Sequence, residues 1–364
     1  MAWMIEEFED LDNPTTYAVD PQGVYDWIES MASKLEDGKS RYLGKLDTGD
    51  IGRNGINEIL VCGMGGSAIS GDLAYSAVQS MLPVPYRVVR GYEQPASLGE
   101  NTLQIIISYS GNTEEAIWAY TQGHNRNAKI VVISSGGALK DLALKHGYML
   151  IELPGSYIAP RLATGHILSA LLAVLISIFP ELAGIESDMN DAVTSLRRGS
   201  KRYSKELDFE KNFAKRLAHD FHGVFPVIAS GVLTAPVAMR FQAQFNENSK
   251  WPAHFTVLPE MNHNEIVAFS QPGPATKRSG LLVLRDRDDH PRVQYRQDFT
   301  IDLVEKHMAW VHQLKGDGKT LLGRLMSMVQ TADYSSYYLA CARGLNPLTI
   351  SAIDSLKERL GKLN

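Results

Sequence analysis

Hydrophobic positions fall into short compact runs separated by amphipathic stretches. Glu58–Cys62 is the first run of strand length, and a helical pattern follows it to residue 79. Tyr86–Val89 and residues 103–108, 130–134 and 149–153 repeat the strand signal, with helical spacing over residues 113–122 and 139–145. Short apolar strands alternating with helices predict a parallel sheet covered on both faces. Ahead of the first strand, residues 21–31 and a second stretch to Leu46 read as helical and solvated. The most apolar stretch, residues 167–179, is too short for a comfortable membrane span. It starts beside Arg161 and His166, and it predicts a buried helix, placed at a subunit contact.

The plan then repeats. Residues 184–191 read as a hinge and residues 196–222 as a basic helical segment. Strands are expected over 226–229, 281–284 and 310–313, and helices over 235–246, 293–307, 321–343 and 351–363. The fold expected is α/β: two doubly wound parallel-sheet units, each an αβα sandwich, dividing the chain into residues 1–190 and 191–364. In the second half Ser230-Gly-Val-Leu-Thr234 stands where Gly63-Met-Gly-Gly-Ser67 stood in the first. An internal duplication with one half specialised is the economical reading.

Composition narrows the class. The 364 residues are 44% hydrophobic and 21% charged, with a formal net charge of -5. Such a chain buries a core, and its acidity argues against a nucleic-acid binder. The two cysteines, Cys62 and Cys341, form no CxxC pair and point to a reduced, cytoplasmic compartment. The acidic start, residues 1–10, does not resemble a secretory signal.

Two strand-to-helix turns carry candidate chemistry. A phosphate needs several donors converging on one point. A helix N-terminus supplies free N–H groups and a favourable dipole, glycines let the backbone approach, and hydroxyls add donors without bulk. Gly65, Gly66 and Ser67 meet these needs after one strand, and Ser108, Ser110 and Thr113 after another. In a parallel sheet both turns lie at the carboxyl ends of strands, where such sheets bind ligands. Neither is a Walker loop. GMGGSA formally matches G-x-G-x-x-G/A, which alone is weak evidence for a dinucleotide. The competing reading is that glycine turns merely permit tight packing.

Gly63-Met-Gly-Gly-Ser67, Ser108-Tyr-Ser-Gly-Asn-Thr113, Phe245-Asn-Glu-Asn248, His263-Asn264 and Arg343-Gly-Leu-Asn-Pro347 with Ile353-Asp-Ser-Leu-Lys357 together resemble the bifunctional phosphoglucose/phosphomannose isomerases. These have two sugar-isomerase (SIS) domains per chain, and the motifs occur here in the same order. The resemblance implies a cytosolic, metal-free and cofactor-free homodimer of carbohydrate metabolism. Its reaction interconverts glucose 6-phosphate or mannose 6-phosphate with fructose 6-phosphate through a cis-enediol. It implies that Glu247 shuttles the proton between C1 and C2, flanked by Asn246 and Asn248. It implies ring opening by His263, reached from the neighbouring subunit, and by Lys357. Arg161 would stabilise the enediolate oxygens. The family's epimer-discriminating threonine falls at Thr349 or, displaced by one, at Ile350. Read from the residues alone, Glu247 is a surface glutamate, His263 a turn histidine, Lys357 a solvated lysine and Arg161 a solvent-facing residue at a helix start.

Other classes fit less well. His254, His263 and Glu265 lack the clustered spacing of a zinc site. A non-catalytic sugar-phosphate sensor would keep the cradle and could dispense with Glu247, His263 or Lys357. An aminotransferase would need a glutaminase domain opening with a cysteine. The expected partner is therefore a small sugar phosphate, with no nucleic acid and no membrane.

Overall fold

The computed structural model describes residues 7–363. The start of the acidic N-terminal segment, residues 1–6, lies outside the described residues. The chain divides into two compact units. One comprises residues 30–197 and 317–327, and the other residues 7–29, 198–316 and 328–363.

The first unit holds a five-stranded, wholly parallel sheet in the order β2-β1-β3-β4-β5. Its strands are β1 (Glu58–Cys62), β2 (Tyr86–Val89), β3 (Thr102–Ile107), β4 (Lys129–Ser134) and β5 (Met149–Glu152). β3 is buried along its whole length, as a strand covered on both faces must be. The order reverses between β1 and β3, so the turns leaving these two strands flank a topological switch point. The first helices of the chain are α1 (Val24–Glu29) and α2 (Met31–Tyr42), and the crossovers are α3 (Gly65–Val78), α4 (Glu114–Asn125) and α5 (Gly137–His146).

α6 (Thr164–Ile178) is buried almost end to end. Its first turns lie close against α2, because Gly38 leaves room for Ser169 and Gly165 for the Leu35 backbone. The Ser169 hydroxyl donates to the Leu35 carbonyl at 2.9 Å. Burial of the apolar stretch is thus as expected. Its placement at a subunit contact is corrected, because its own unit already covers it. Among the described residues no helix is long and apolar enough to cross a membrane.

The expected hinge is corrected as well. Residues 185–191 open α7 (Ile185–Arg202), and Ile185, Met189, Ala192, Val193 and Leu196 bury one face of it. Polar residues between these positions hid the helical spacing. The basic segment is two helices. α8 (Phe213–Phe221) starts afresh at Asn212, whose side chain accepts from the Ala214 and Lys215 N–H groups.

The second unit holds a parallel sheet in the order β7-β6-β8-β9. Its elements are β6 (Phe225–Ser230), α9 (Ala235–Glu247), β7 (His254–Val257), α10 (Glu265–Phe269), β8 (Ser279–Arg285), α11 (Pro291–Val304) and β9 (Trp310–Lys315), followed by α12 (Leu321–Ala342) and α13 (Ser351–Leu360). The pair of α/β units is as expected. β7 was missed because its four residues form a half-buried edge with little apolar signal.

The N-terminal stretch is not solvated. Val24, Tyr25 and Ile28 are buried, and Tyr17 stacks on Tyr337 with 6.3 Å between ring centroids. Lys215, fully buried, donates to the Leu11 carbonyl at 2.8 Å, Asp12 Oδ1 at 2.9 Å and the Lys205 carbonyl at 2.9 Å. A buried ammonium requires partners of this kind. These contacts place residues 11–25 with the second sheet, whereas the expected division placed them with the first.

Candidate active site

The turns after β1 and β3 are neighbours. Register pairs Cys62 with Ile106, and a Cβ at Gly63 would stand 2.8 Å from the Ile107 carbonyl oxygen. Gly65, at φ +49°, opens α3. The N–H groups of Gly65 and Gly66 meet no acceptor among the described residues, whereas those of Ser67 and Ala68 bond to the Met64 carbonyl. Two unpaired donors at a helix start, with its dipole behind them, favour an anion. Ser67 is buried below them.

The second turn is pre-shaped by its own hydroxyls. Ser108 Oγ and Thr113 Oγ1 lie 2.8 Å apart, and the Gly111 N–H donates to Ser108 Oγ at 3.1 Å. Gly111 sits at φ +70°, and a Cβ there would fall 1.7 Å from the Gly136 carbonyl oxygen. The turn after β4 therefore packs directly beneath it. Asn112 Oδ1 accepts from the Ala138 N–H at 3.0 Å, and Ser135 Oγ donates to the Tyr109 carbonyl at 2.6 Å. Ser110 is exposed at the rim. Gly65, Gly66, Ser67, Ser108, Ser110 and Thr113 thus share one edge of the first unit.

Arg161 joins them. It lies in a single 3-10 turn, Pro160–Leu162, just before α6 and is 4% exposed. The expected solvent-facing alternative does not describe it. A Cβ at Gly66 would come within 3.1 Å of Arg161 Cα, so this glycine admits the Arg161 backbone to the cradle.

The matching turn of the second unit is filled from within. Asp289, 4% exposed, sits where a Cβ at Gly231 would be, 2.2 Å from its Oδ1. Burial raises its carboxyl to about 6, with the Asp286 charge adding to the rise. An internal carboxyl occupies the place that the first unit leaves open.

Glu247 ends α9 and is half-buried. Its two asparagine neighbours make bonds of their own. Asn248 Nδ2 donates to Ser336 Oγ at 3.0 Å, and Asn246 Oδ1 accepts from the Ala253 N–H at 3.3 Å. They fix the end of the helix. The following turn is tied to the segment before α13, since Lys250 Nζ donates to the Asn346 carbonyl at 2.5 Å. Thr349, in that segment, is exposed and donates to the Asn346 carbonyl at 3.2 Å, while Ile350 is half-buried.

His263 and Lys357 are exposed, and neither side chain has a partner among the described residues. Neither therefore bonds to Glu247 within the chain. α13 is exposed on every side, with Ile353, Leu356 and Leu360 forming an apolar stripe in solvent. Glu265, considered with His263 for metal binding, instead accepts from Thr256 Oγ1 at 2.8 Å and pairs with His254 Nε2 at 3.0 Å. No cluster of three or more metal-ligating side chains occurs among the described residues.

Sequence reasoning did not find Asp289, nor the buried pairing of Tyr157 with His166 on either side of Arg161 in sequence. The signal available for Asp289 was the acidic run Asp286-Arg-Asp-Asp289, directly after a strand.

The chain is similar to known proteins with SIS domains. Residues 55–177 match the SIS domain, and residues 210–360 match the bacterial phospho-glucose isomerase C-terminal SIS domain. A bifunctional phosphoglucose/phosphomannose isomerase of Caldicellulosiruptor bescii is 35% identical over 327 residues, covering 89% of this chain and 96% of the relative. One from Aquifex aeolicus is 36% identical over 306 residues, covering 84% and 90%. Among solved structures, the C-terminal domain of glucosamine-fructose-6-phosphate aminotransferase from Francisella tularensis superposes with a TM-score of 0.67 at 14% identity, covering 88% and 96%. That likeness shows the fold alone.

Proposed function

The chain belongs to the family of bifunctional phosphoglucose/phosphomannose isomerases, and from that premise we propose that it interconverts glucose 6-phosphate or mannose 6-phosphate with fructose 6-phosphate. It is a sugar-phosphate isomerase, and the observation that carries the substrate class is the cradle. Unpaired Gly65 and Gly66 N–H groups stand beside the Ser108–Thr113 hydroxyl pair at the switch point of a parallel sheet.

The roles follow the chemistry. The cradle holds the phosphate through Gly65, Gly66, Ser67, Ser108, Ser110 and Thr113. Ring opening moves a proton between the ring oxygen and O1, a task for Lys357 and His263 of the partner subunit. Glu247 then removes the proton from C2 of the aldose and returns it to C1, through a cis-enediol. The Arg161 guanidinium, always charged, stabilises the negative charge that develops on the enediolate oxygens. Thr349 borders the C2 substituent and sets tolerance of both epimers.

The enzyme acts as a cytoplasmic homodimer. Support for a second copy comes from apolar faces left in solvent: the α13 stripe, and Tyr295 and Phe299 on α11. The exposed, unpartnered His263 fits a histidine that serves a neighbour. A coupled assay with the three sugar phosphates tests the proposal. Turnover of none of them sinks it.

A further inference from the structure

A chain of hydrogen bonds, buried except at Asp37, ties the segment that leads to Arg161 to α2 and α6, and its direction can be read from chemistry. Asp37 Oδ2, on α2, lies 2.7 Å from His166 Nε2, on α6. The Asp37 carboxyl is held below its ordinary value: burial pushes it up, but bonds from Arg41 and His166 outweigh that. A carboxylate only accepts, so Nε2 carries the hydrogen. Nδ1 of the neutral ring is then an acceptor, and its partner is the Tyr157 hydroxyl, which donates. The Tyr157 backbone N–H donates to Tyr109 Oη at 2.9 Å. Tyr109 Oη in turn donates to the Pro154 carbonyl at 3.0 Å.

The chain joins two parts of the site. Tyr109 is the second residue of the Ser108-Tyr-Ser-Gly-Asn-Thr113 turn. Pro154 and Tyr157 belong to the segment that delivers Arg161 to Gly66. Tyr157 and Tyr109 are buried, and their rings meet edge to face at 5.5 Å. Burial lowers His166 and raises Tyr157, so both stay neutral near pH 7 and the direction of the chain is preserved. Lys34 Nζ lies 4.9 Å from the Tyr157 ring centroid, and burial lowers that ammonium to about 7. Lys34, Arg41 and Tyr42 are the titratable groups that face the chain from α2.

We propose that Tyr109, Tyr157 and His166 are positioning residues of the isomerisation, holding the 154–161 segment so that Arg161 lies at the phosphate cradle. This rests on the isomerase reading above. The physical need is clear: a stabilising cation must sit within a fraction of an ångström of its target, and a segment without regular structure does not achieve that unaided. The chain anchors the segment at two points, one of which is the phosphate-binding turn itself.

The test is a double-mutant cycle in the full-length protein. Tyr157→Phe keeps the ring and removes only the hydroxyl that bonds His166. It should lower kcat at least tenfold, while KM and the affinity for inorganic phosphate change less than threefold. Arg161→Lys should lower kcat further. The double variant should be no slower than Arg161→Lys alone, because Tyr157 acts only through Arg161. His166→Gln, which retains one donor and one acceptor, should recover part of the kcat lost in His166→Phe. Unchanged kcat in Tyr157→Phe, or losses that add in the double variant, would overturn the proposal. A fall in melting temperature with kcat intact would leave the chain a purely structural element and equally overturn it. If the wild type turned over no sugar, the isomerase reading would fail. Amide hydrogen exchange across residues 154–161 would still decide the positioning role, because Tyr157→Phe should speed exchange there and unchanged exchange would overturn it.

Discussion

Arg240 and Asp333 form a buried, bidentate ion pair, with Nε–Oδ1 and Nη2–Oδ2 both at 2.8 Å. Gln244 adds a third bond to Asp333 Oδ1 at 2.8 Å. Arg240, Gln244 and Glu247 are spaced four and then three residues apart, so they share one face of α9. Pairing with Asp333 on α12 thereby fixes the roll of α9, the helix that carries the proposed base. Breaking a buried pair strands one charge, at a cost of about 3–5 kcal/mol. Asp333→Ala should therefore destabilise the protein by about that much in urea unfolding. Arg240→Met combined with Asp333→Leu should recover most of the loss, because an apolar pair needs no counter-charge.

Asp289 makes a pH prediction of definite sign. Its carboxyl holds a proton up to about pH 6 in the folded chain, against an ordinary value of 3.8. Between those values the folded state binds more protons than the unfolded state. Its contribution to stability is therefore lost as pH rises from about 4 to about 6. Asp289→Asn should flatten that part of the profile. At pH 7 it should be as stable as the wild type, or more stable by about 1–2 kcal/mol. A variant with an unchanged pH profile would show that Asp289 does not titrate in this way.

The cradle should be separable from the chemistry. Ser67→Ala and Thr113→Ala each remove one hydroxyl, worth about 1.5–3 kcal/mol if it bonds a charged phosphate. Each should weaken sugar-phosphate affinity about tenfold or more and reduce the rise in melting temperature that the ligand produces. An undiminished rise in both variants would place the phosphate elsewhere.

Glu247→Gln is nearly isosteric and keeps one acceptor oxygen, but it removes the carboxylate that takes the proton. It should abolish exchange of the C2 proton with solvent deuterium while leaving affinity for fructose 6-phosphate within a few-fold. Normal activity in this variant would identify a different base.

Gly111 is held by geometry rather than chemistry. Its φ is +70°, and the Gly136 carbonyl oxygen lies 1.7 Å from the place a Cβ would take, so Gly111→Ala has nowhere to go. Loss of more than about 2 kcal/mol is expected, and it should be visible as a lowered melting temperature without ligand. Gly65→Ala meets nothing within 4 Å, despite φ +49°. It should cost only the strain of that backbone region, about 1 kcal/mol.

The sequence by itself determined the local and the periodic. Short apolar runs such as residues 130–134, ended by turn residues and alternating with helical spacing, read as strands buried on both faces. Glycine and hydroxyl residues directly after a strand announce a turn that can approach an anion. Recognition of Glu247, His263 and Lys357 needed the family's motif order, because each is an ordinary polar residue in an ordinary element. What only the tertiary structure decided are the long-range pairings. Nothing near Asp289 in sequence shows that its carboxyl fills the turn at Gly231. Nothing near Asp12 shows that it meets Lys215, and Asp37 and His166 are 129 positions apart. Such contacts cost chain entropy to close and are repaid by desolvated hydrogen bonds and charge. They have no local periodicity to betray them, so they become visible only once the chain has folded.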